Sequence, residues 1–193
     1  MKSSVLNQIL LPAISLFLIC LGCAVLLAFT NNSTKDVILQ RQRDAEDASK
    51  SAVIQGADSF SEDLTVNVDG EDYVYYEAYD KDKKIIGYIF TAGSKGYGGE
   101  VRIVTGISPD GLVTGIVPVL LNETPGLGMK AAGEDYLNQY VGKTESIGVA
   151  KSNPGKNDIQ AISGATISSR AVTDAVNTAF KIYNAIPEVN VNG

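Results

Sequence analysis

The chain has 193 residues, with 16 basic and 22 acidic side chains and a formal net charge of −6. An acidic balance argues against nucleic acid or an anionic lipid surface as the main partner, because both need a basic face. There is no histidine and no tryptophan, which removes Ser-His-Asp and Cys-His nucleophiles and every imidazole metal site.

From Ile9 to Phe29 the sequence is apolar and uncharged, and Lys2 is the only charged side chain among the first 30 residues. A run of about 21 residues at ~1.5 Å rise spans the ~30 Å hydrocarbon layer. We expect a single transmembrane anchor over residues 1–30, with the lipid bilayer as its surroundings. A cleaved signal peptide is the alternative. Its apolar core is usually only ~7–15 residues long and ends in a small-x-small site, and Leu26 and Ala28 make a poor one. The only cysteines, Cys20 and Cys23, fall inside this run. They read as small apolar residues of a membrane helix rather than as a redox or metal pair. Lys35, Arg41 and Arg43 after the span outnumber Lys2 before it, so the positive-inside rule leans toward a cytoplasmic main domain.

Residues 31–44 are polar and read as a juxtamembrane linker. Ala45 to Phe60 has loosely helical spacing, which makes 31–60 a linker and helix and 61–193 the main domain. Leu64 to Val68 alternates as a strand does, and Asp69-Gly70 signals a turn. Tyr73 to Tyr79 is β-prone, Asp80 to Lys84 is a charged turn, and Ile85 to Thr91 is the hairpin partner. Gly93 to Gly99 reads as a flexible loop. Glu100 to Ile107 and Leu112 to Leu121 flank a Pro109-Asp110-Gly111 turn, and Pro118 demotes its strand to an edge or a bulge. Asn122 to Gly128 is a loop, Glu134 to Val141 a short helix and Lys151 to Asp158 a polar loop. From Thr166 to Ile186, apolar residues recur every three to four positions (Ile167, Ala171, Val172, Ala175, Val176, Ala179, Phe180, Tyr183). That is an amphipathic helix packed on a sheet, ended by Pro187. The fold class is α+β, with antiparallel strands and helices packed on one side.

Two segments carry more constraint than their neighbours. Ile162 to Ser169 (ISGATISS) opens the last helix, with Ser163 or Thr166 as its N-cap. A helix start offers unpaired N–H groups and partial positive charge to a phosphate, and Thr166, Ser168 and Ser169 add hydroxyls. An ordinary helix cap of small polar residues explains the same pattern. Glu123 to Gly128 (ETPGLG) follows a strand. Its glycines, Gly126 and Gly128, permit close approach of a flat ligand, and Glu123, Thr124 and Lys130 supply polar contacts. A tight strand-to-helix connection is the plainer account. The chain contains no GxxxxGK[ST], and no GxGxxG opens a helix.

Taken together these residues resemble a known family. Ser163-Gly164-Ala165-Thr166 followed by Ile167-Ser168-Ser169 is similar to the flavinylation motif of the FMN-binding domain. That domain occurs in the G subunit of the Rnf complex and in the C subunit of the sodium-pumping NADH:quinone reductase. Gly96-Tyr-Gly-Gly-Glu-Val101, the Pro109-Asp-Gly111 turn and Asn122 to Gly128 follow the family's order, and the short length resembles the Rnf member more than its sodium-pump counterpart. The resemblance implies FMN bonded through its phosphate to Thr166. Ser163, Gly164, Ala165, Ser168 and Ser169 would lie around the phosphate, Glu123, Thr124, Gly126, Leu127 and Gly128 around the ring, and Lys130 would pair with the phosphate or stay solvated. It implies an electron relay with no catalytic acid, base or metal of its own. The implied partners are other membrane, iron–sulfur and flavin subunits and, during maturation, a flavin transferase that Asp158 assists. It also implies a flavin domain on the outer face of the cell membrane, against the charge count. A membrane-tethered module without cofactor stands as the reading from a different class.

Overall fold

In the computed structural model, residues 10–190 are described. The chain forms two compact units, Met1–Arg43 and Asp44–Gly193. Helix α1 (Leu11–Val53) begins in the first and ends in the second. Large apolar side chains from Leu11 to Phe29 are exposed, Leu27 and Phe29 by more than two thirds. Among the described residues this is the one helix long and apolar enough to cross a membrane. Lys2 and Ile9 lie outside the described residues.

The linker expected over 31–44 is helical instead. No glycine or proline interrupts the chain between Gly22 and Gly56. The hydroxyls of Thr30 and Thr34 donate to the carbonyls of Leu26 (2.9 Å) and Thr30 (2.7 Å), so they do not compete for the helix's own N–H groups. The helix ends at Val53, and Gly56 turns the chain with a positive φ of 86°.

The second unit is built on a six-stranded antiparallel sheet. Its strands are β1 (Ser59–Phe60), β2 (Leu64–Val68), β3 (Glu71–Tyr79), β4 (Ile85–Lys95), β5 (Glu100–Ile107) and β6 (Val113–Leu121). The order is β1-β3-β4-β5-β6, with β2 also paired to β3. Asp69 and Gly70 both take positive φ between the paired residues Val68 and Glu71, the two-residue turn that matches strand twist. Pro118 lies on the edge strand β6 beside a register shift at Arg102/Ile103, so it is both at an edge and at a bulge. The flexible loop expected over 93–99 is mostly strand: Gly93, Ser94 and Lys95 pair with Arg102, Val101 and Glu100. Only Gly96 to Gly99 turns, closed by a bond from Gly96 N–H to the Gly99 carbonyl (2.8 Å).

After the sheet come α2 (Glu134–Leu137), a parallel pair β7 (Gly148–Ala150) and β8 (Asp158–Gln160), α3 (Thr166–Ala185) and α4 (Pro187–Asn190). The β7–β8 pair is too short to give a sequence period. Helix α3 covers one face of the sheet, where Phe90, Ile103, Val172, Val176 and Phe180 form the main core. Of its predicted apolar stripe every member is buried except Ile167, which is 53% exposed.

The opposite face is covered too, contrary to the one-sided expectation. Val53 and Ile54 close on Ala78, Ile89 and Val104. Adjacent strands β4, β5 and β6 present Gly87, Gly106 and Gly115 there. A Cβ on Gly106 would lie 2.7 Å from the Val53 carbonyl oxygen, and one on Gly115 would lie 3.2 Å from Val53 Cα. The Thr114 hydroxyl donates to that same carbonyl (2.6 Å), and the Lys50 ammonium sits 3.4 Å from the centre of the Tyr76 ring. A glycine notch thus seats the end of α1.

Thr105 on β5 is fully buried, and its hydroxyl has no partner among the described residues. Thr105→Val keeps the shape and removes the orphaned group, so urea denaturation should show a gain of about 1 kcal/mol. A loss would mean that the hydroxyl is satisfied.

Candidate flavin site

Three segments far apart in sequence meet at one cleft of about 520 Å³, within the usual range of ~300–1,000 Å³ for small-molecule sites. They are the β4–β5 hairpin tip, the ETPGLG loop and the start of α3.

The two loops share a design. The Leu127 N–H donates to the Thr124 carbonyl (3.2 Å) around Pro125 and Gly126, whose φ is +76°. The Ala165 N–H donates to the Ile162 carbonyl (2.9 Å) around Ser163 and Gly164, with φ +78°. Each is a type II turn with glycine at its third position. They meet: a Cβ on Gly164 would touch Leu127 Cδ2 at 3.4 Å.

Neither Ser163 nor Thr166 caps α3. The N-cap is Ala165, with no side-chain hydrogen bond. Ser163 is used within its turn, and Thr166 is already the first helical residue. The first intrahelical bond runs from Ser169 N–H to the Ala165 carbonyl (3.0 Å). The N–H groups of Thr166, Ile167 and Ser168 are therefore left open at the cleft.

Of the expected residues, Gly164 and Ala165 line the cleft from the turn before α3, Thr166 and Ser168 from its first turn, and Glu123, Thr124, Leu127 and Gly128 from the loop. Ser163, Ser169, Gly126 and Lys130 do not. Ser169 is wholly buried, accepting from Ile162 N–H (2.9 Å) and donating to the Ala165 carbonyl (3.0 Å). It staples the turn to the helix. Lys130 is exposed on a short 3₁₀ turn. Asp158 is bound into its own loop, accepting from Gly155 N–H (2.9 Å).

Tyr97 and Ile167 line the cleft without having been expected there. Tyr97 belongs to the glycine-rich tip whose place depends on Glu123. That buried carboxylate accepts from Tyr97 N–H (2.9 Å) and from Gly98 N–H (3.2 Å). Ile167 gave a signal: it is the apolar residue that directly follows the motif threonine.

Behind the helix start lies a buried hydroxyl cluster. Tyr136 and Thr173 both donate to the Ser169 carbonyl (3.2 and 3.0 Å), and Tyr140 joins them at 3.0 and 2.7 Å. Burial raises both tyrosine hydroxyls above their usual range, Tyr140 the more, so they stay protonated and act as donors. A second cavity of about 440 Å³, bordered by Glu145, Asp174, Asn177 and Lys181, holds none of the expected residues. Among the described residues no group of three or more acidic, cysteine or histidine side chains is placed to hold a metal.

Residues 96–181 match the model of the FMN-binding domain, and residues 1–53 match the RnfG N-terminal region. The chain is 33% identical over 174 residues to the G subunit of the proton-translocating ferredoxin:NAD(+) oxidoreductase complex of Clostridium ljungdahlii, with 90% of each chain covered. The chain belongs to the RnfG family.

A second relative, the G subunit of the ion-translocating oxidoreductase complex of Methanosarcina acetivorans, is 33% identical, covering 89% of this chain and 93% of that one. The G subunit of the Na(+)-translocating ferredoxin:NAD(+) oxidoreductase complex of Acetobacterium woodii is 47% identical over 105 residues, which is 50% of its length. Two crystal structures share the fold. NqrC from Shewanella oneidensis has 19% identity and a TM-score of 0.55, covering 70% of this chain and 72% of that one. The C subunit of the Na(+)-translocating NADH-quinone reductase from Parabacteroides distasonis has 20% identity and a TM-score of 0.58, covering 76% and 94%. This member of the RnfG family is thus an FMN-binding component of an oxidoreductase complex. The matched stretch, 96–181, contains every residue that lines the cleft.

Proposed function

We propose that this RnfG-family chain holds FMN in the cleft, bonded through its phosphate to Thr166 Oγ1, and relays electrons between redox subunits of an Rnf-type complex. The observation that carries this is the position of Thr166. Thr166 lines the cleft as the first residue of a helix with no side-chain cap. Three open N–H groups and the positive end of α3 favour an anion there. Ser168 is buried and lines the same cleft, which supports a role for its hydroxyl in holding the phosphate.

FMN, when bound, supplies the capacity to take up and release electrons. The chain's residues bind, orient and shield it. Tyr97, Leu127 and Ile167 offer apolar surface to a flat ring, and the hydroxyl of Thr124 offers a polar contact at its edge. The hydroxyl cluster on the Ser169 carbonyl keeps the helix start rigid. A flavin transferase installs the ester, and iron–sulfur or flavin subunits of the same membrane complex give and take the electrons. The exposed apolar surface of α1 supports a single membrane span. The flavin domain faces outward, where neighbouring subunits fix an orientation that the charge count leaves nearly balanced. In this reading the relay links ferredoxin and NAD to movement of Na⁺ or H⁺.

The test is co-expression with a flavin transferase, followed by denaturation, intact mass and in-gel fluorescence. Wild type should gain the mass of FMN less one water, as the Thr166 hydroxyl oxygen becomes the bridging ester oxygen. Thr166→Ala should gain nothing and stay dark. An unmodified wild type beside an active transferase would overturn the covalent attachment at Thr166.

A further inference from the structure

We propose that Tyr97 covers one face of the isoalloxazine ring and that Glu123 is the positioning residue that holds it there. This rests on the reading of the cleft as the FMN site.

The hairpin tip is a poor place for a casual aromatic. Gly96, Gly98 and Gly99 have no side chains, so Tyr97 is the only residue of the tip that can project. The tip has little freedom. Gly96 N–H closes on the Gly99 carbonyl at 2.8 Å. A Cβ on Gly98 would lie 2.7 Å from the Asn122 carbonyl oxygen, and one on Gly99 would lie 2.8 Å from Asn122 Cβ. Glu123 then fixes the two N–H groups at the centre of the tip with its two carboxylate oxygens, one each. Bonds donated to a buried carboxylate are charge-assisted and stronger than neutral ones.

The result is a rigid knuckle carrying one aromatic ring that is 72% exposed. Core packing does not explain a ring left in water on a fixed backbone. Its place on the cleft wall does. Leu127 and Ile167, 45% and 53% exposed, line the same cleft. Three exposed apolar side chains around one cleft suit a flat, largely apolar ligand. The polar end of that ligand belongs at Thr166, whose open N–H groups take the anion. The ring is left to the apolar walls. Aromatic rings prefer offset-stacked or edge-to-face contact, and among the described residues Tyr97 is the only aromatic side chain on the wall.

The experiment uses the full chain in detergent and has two arms. In the Thr166→Val background, free FMN is titrated against chains with Tyr97, Tyr97→Phe or Tyr97→Ala. Tyr97→Ala should weaken binding about two- to tenfold, and Tyr97→Phe should change it little. In transferase-loaded chains with Thr166 intact, flavin emission and its quenching by iodide are recorded. Tyr97→Ala should brighten the flavin and open it to iodide, and Glu123→Gln should shift both readings the same way by a smaller amount. A Tyr97→Ala chain that matches wild type in affinity and in iodide access overturns the proposal, even when loading is complete. Failure of loading with normal free-FMN binding overturns only the phosphoester, and the titration still decides on Tyr97. A chain that neither loads nor binds FMN overturns both.

Discussion

A chain that begins at Ile54 should fail to form a stable soluble domain, whereas one that begins at Asp44 should fold. The ten residues between them close the second face of the sheet. Val53 is 1% exposed and Ser49 is 6% exposed. Burying one valine contributes about 1.5–3 kcal/mol. The Lys50–Tyr76 contact, the Arg102–Glu46 ion pair at 3.8 Å and the Thr114 bond to Val53 add smaller amounts. Their loss would also bare Ala78, Ile89 and Val104 to water, beside a notch of glycines with no side chains of their own. A deficit of several kcal/mol is comparable with the whole stability of a typical domain, about 5–15 kcal/mol. Size-exclusion chromatography and urea denaturation of the two truncations would measure this. Equal stability of the two would mean that the sheet does not need the end of α1.

Gly128→Ala should largely abolish flavin loading without unfolding the domain. The added Cβ would lie 2.5 Å from Glu123 Oε2, 2.8 Å from Glu123 Cβ and 2.8 Å from Ser168 Oγ. Something must move, and each candidate belongs to the cleft. Displacing Glu123 frees the N–H groups of Tyr97 and Gly98. Displacing Ser168 disturbs the first turn of α3. Overpacking of this kind costs about 1–3 kcal/mol, which the domain should survive. Gly126→Ala is the informative contrast. Its Cβ would meet nothing within 4 Å, but its φ is +76°. It should lose about 1 kcal/mol to backbone strain and keep most of its flavin. The reading is flavin per polypeptide by absorbance, set beside thermal melting of the same samples. Equal flavin content in the two variants would show that the space around Gly128 is not critical.

The proposals differ in how they depend on one another. Thr166 can be the attachment point whether or not Tyr97 touches the ring. The Gly128 effect requires only that Glu123 and Ser168 shape the cleft. Loading, free-FMN affinity and stability therefore separate the chemistry of attachment from the shape of the site.

Sequence alone determined those features that neighbouring residues impose on one another. The stripe of α3, the Asp69-Gly70 turn and the Pro109-Asp-Gly111 turn follow from spacing and backbone preference within a few residues. The same locality makes Gly126 and Gly164 legible as turn residues and puts Thr166 at a helix start. The family likeness added the flavin and its phosphate. Tertiary structure decided the rest, because it depends on residues distant in the chain. Glu123 reads in sequence as a ring contact, and only the fold shows that its carboxylate also reaches the N–H groups of residues 97 and 98. Ile167 fits the apolar period, but its turn of helix faces the cleft and not the sheet. The polar stretch 31–44 lacks an apolar face, yet nothing in it breaks a helix, so the helix runs on. The notch of Gly87, Gly106 and Gly115 draws on three strands, and no single stretch of sequence reveals a shape made jointly by all three.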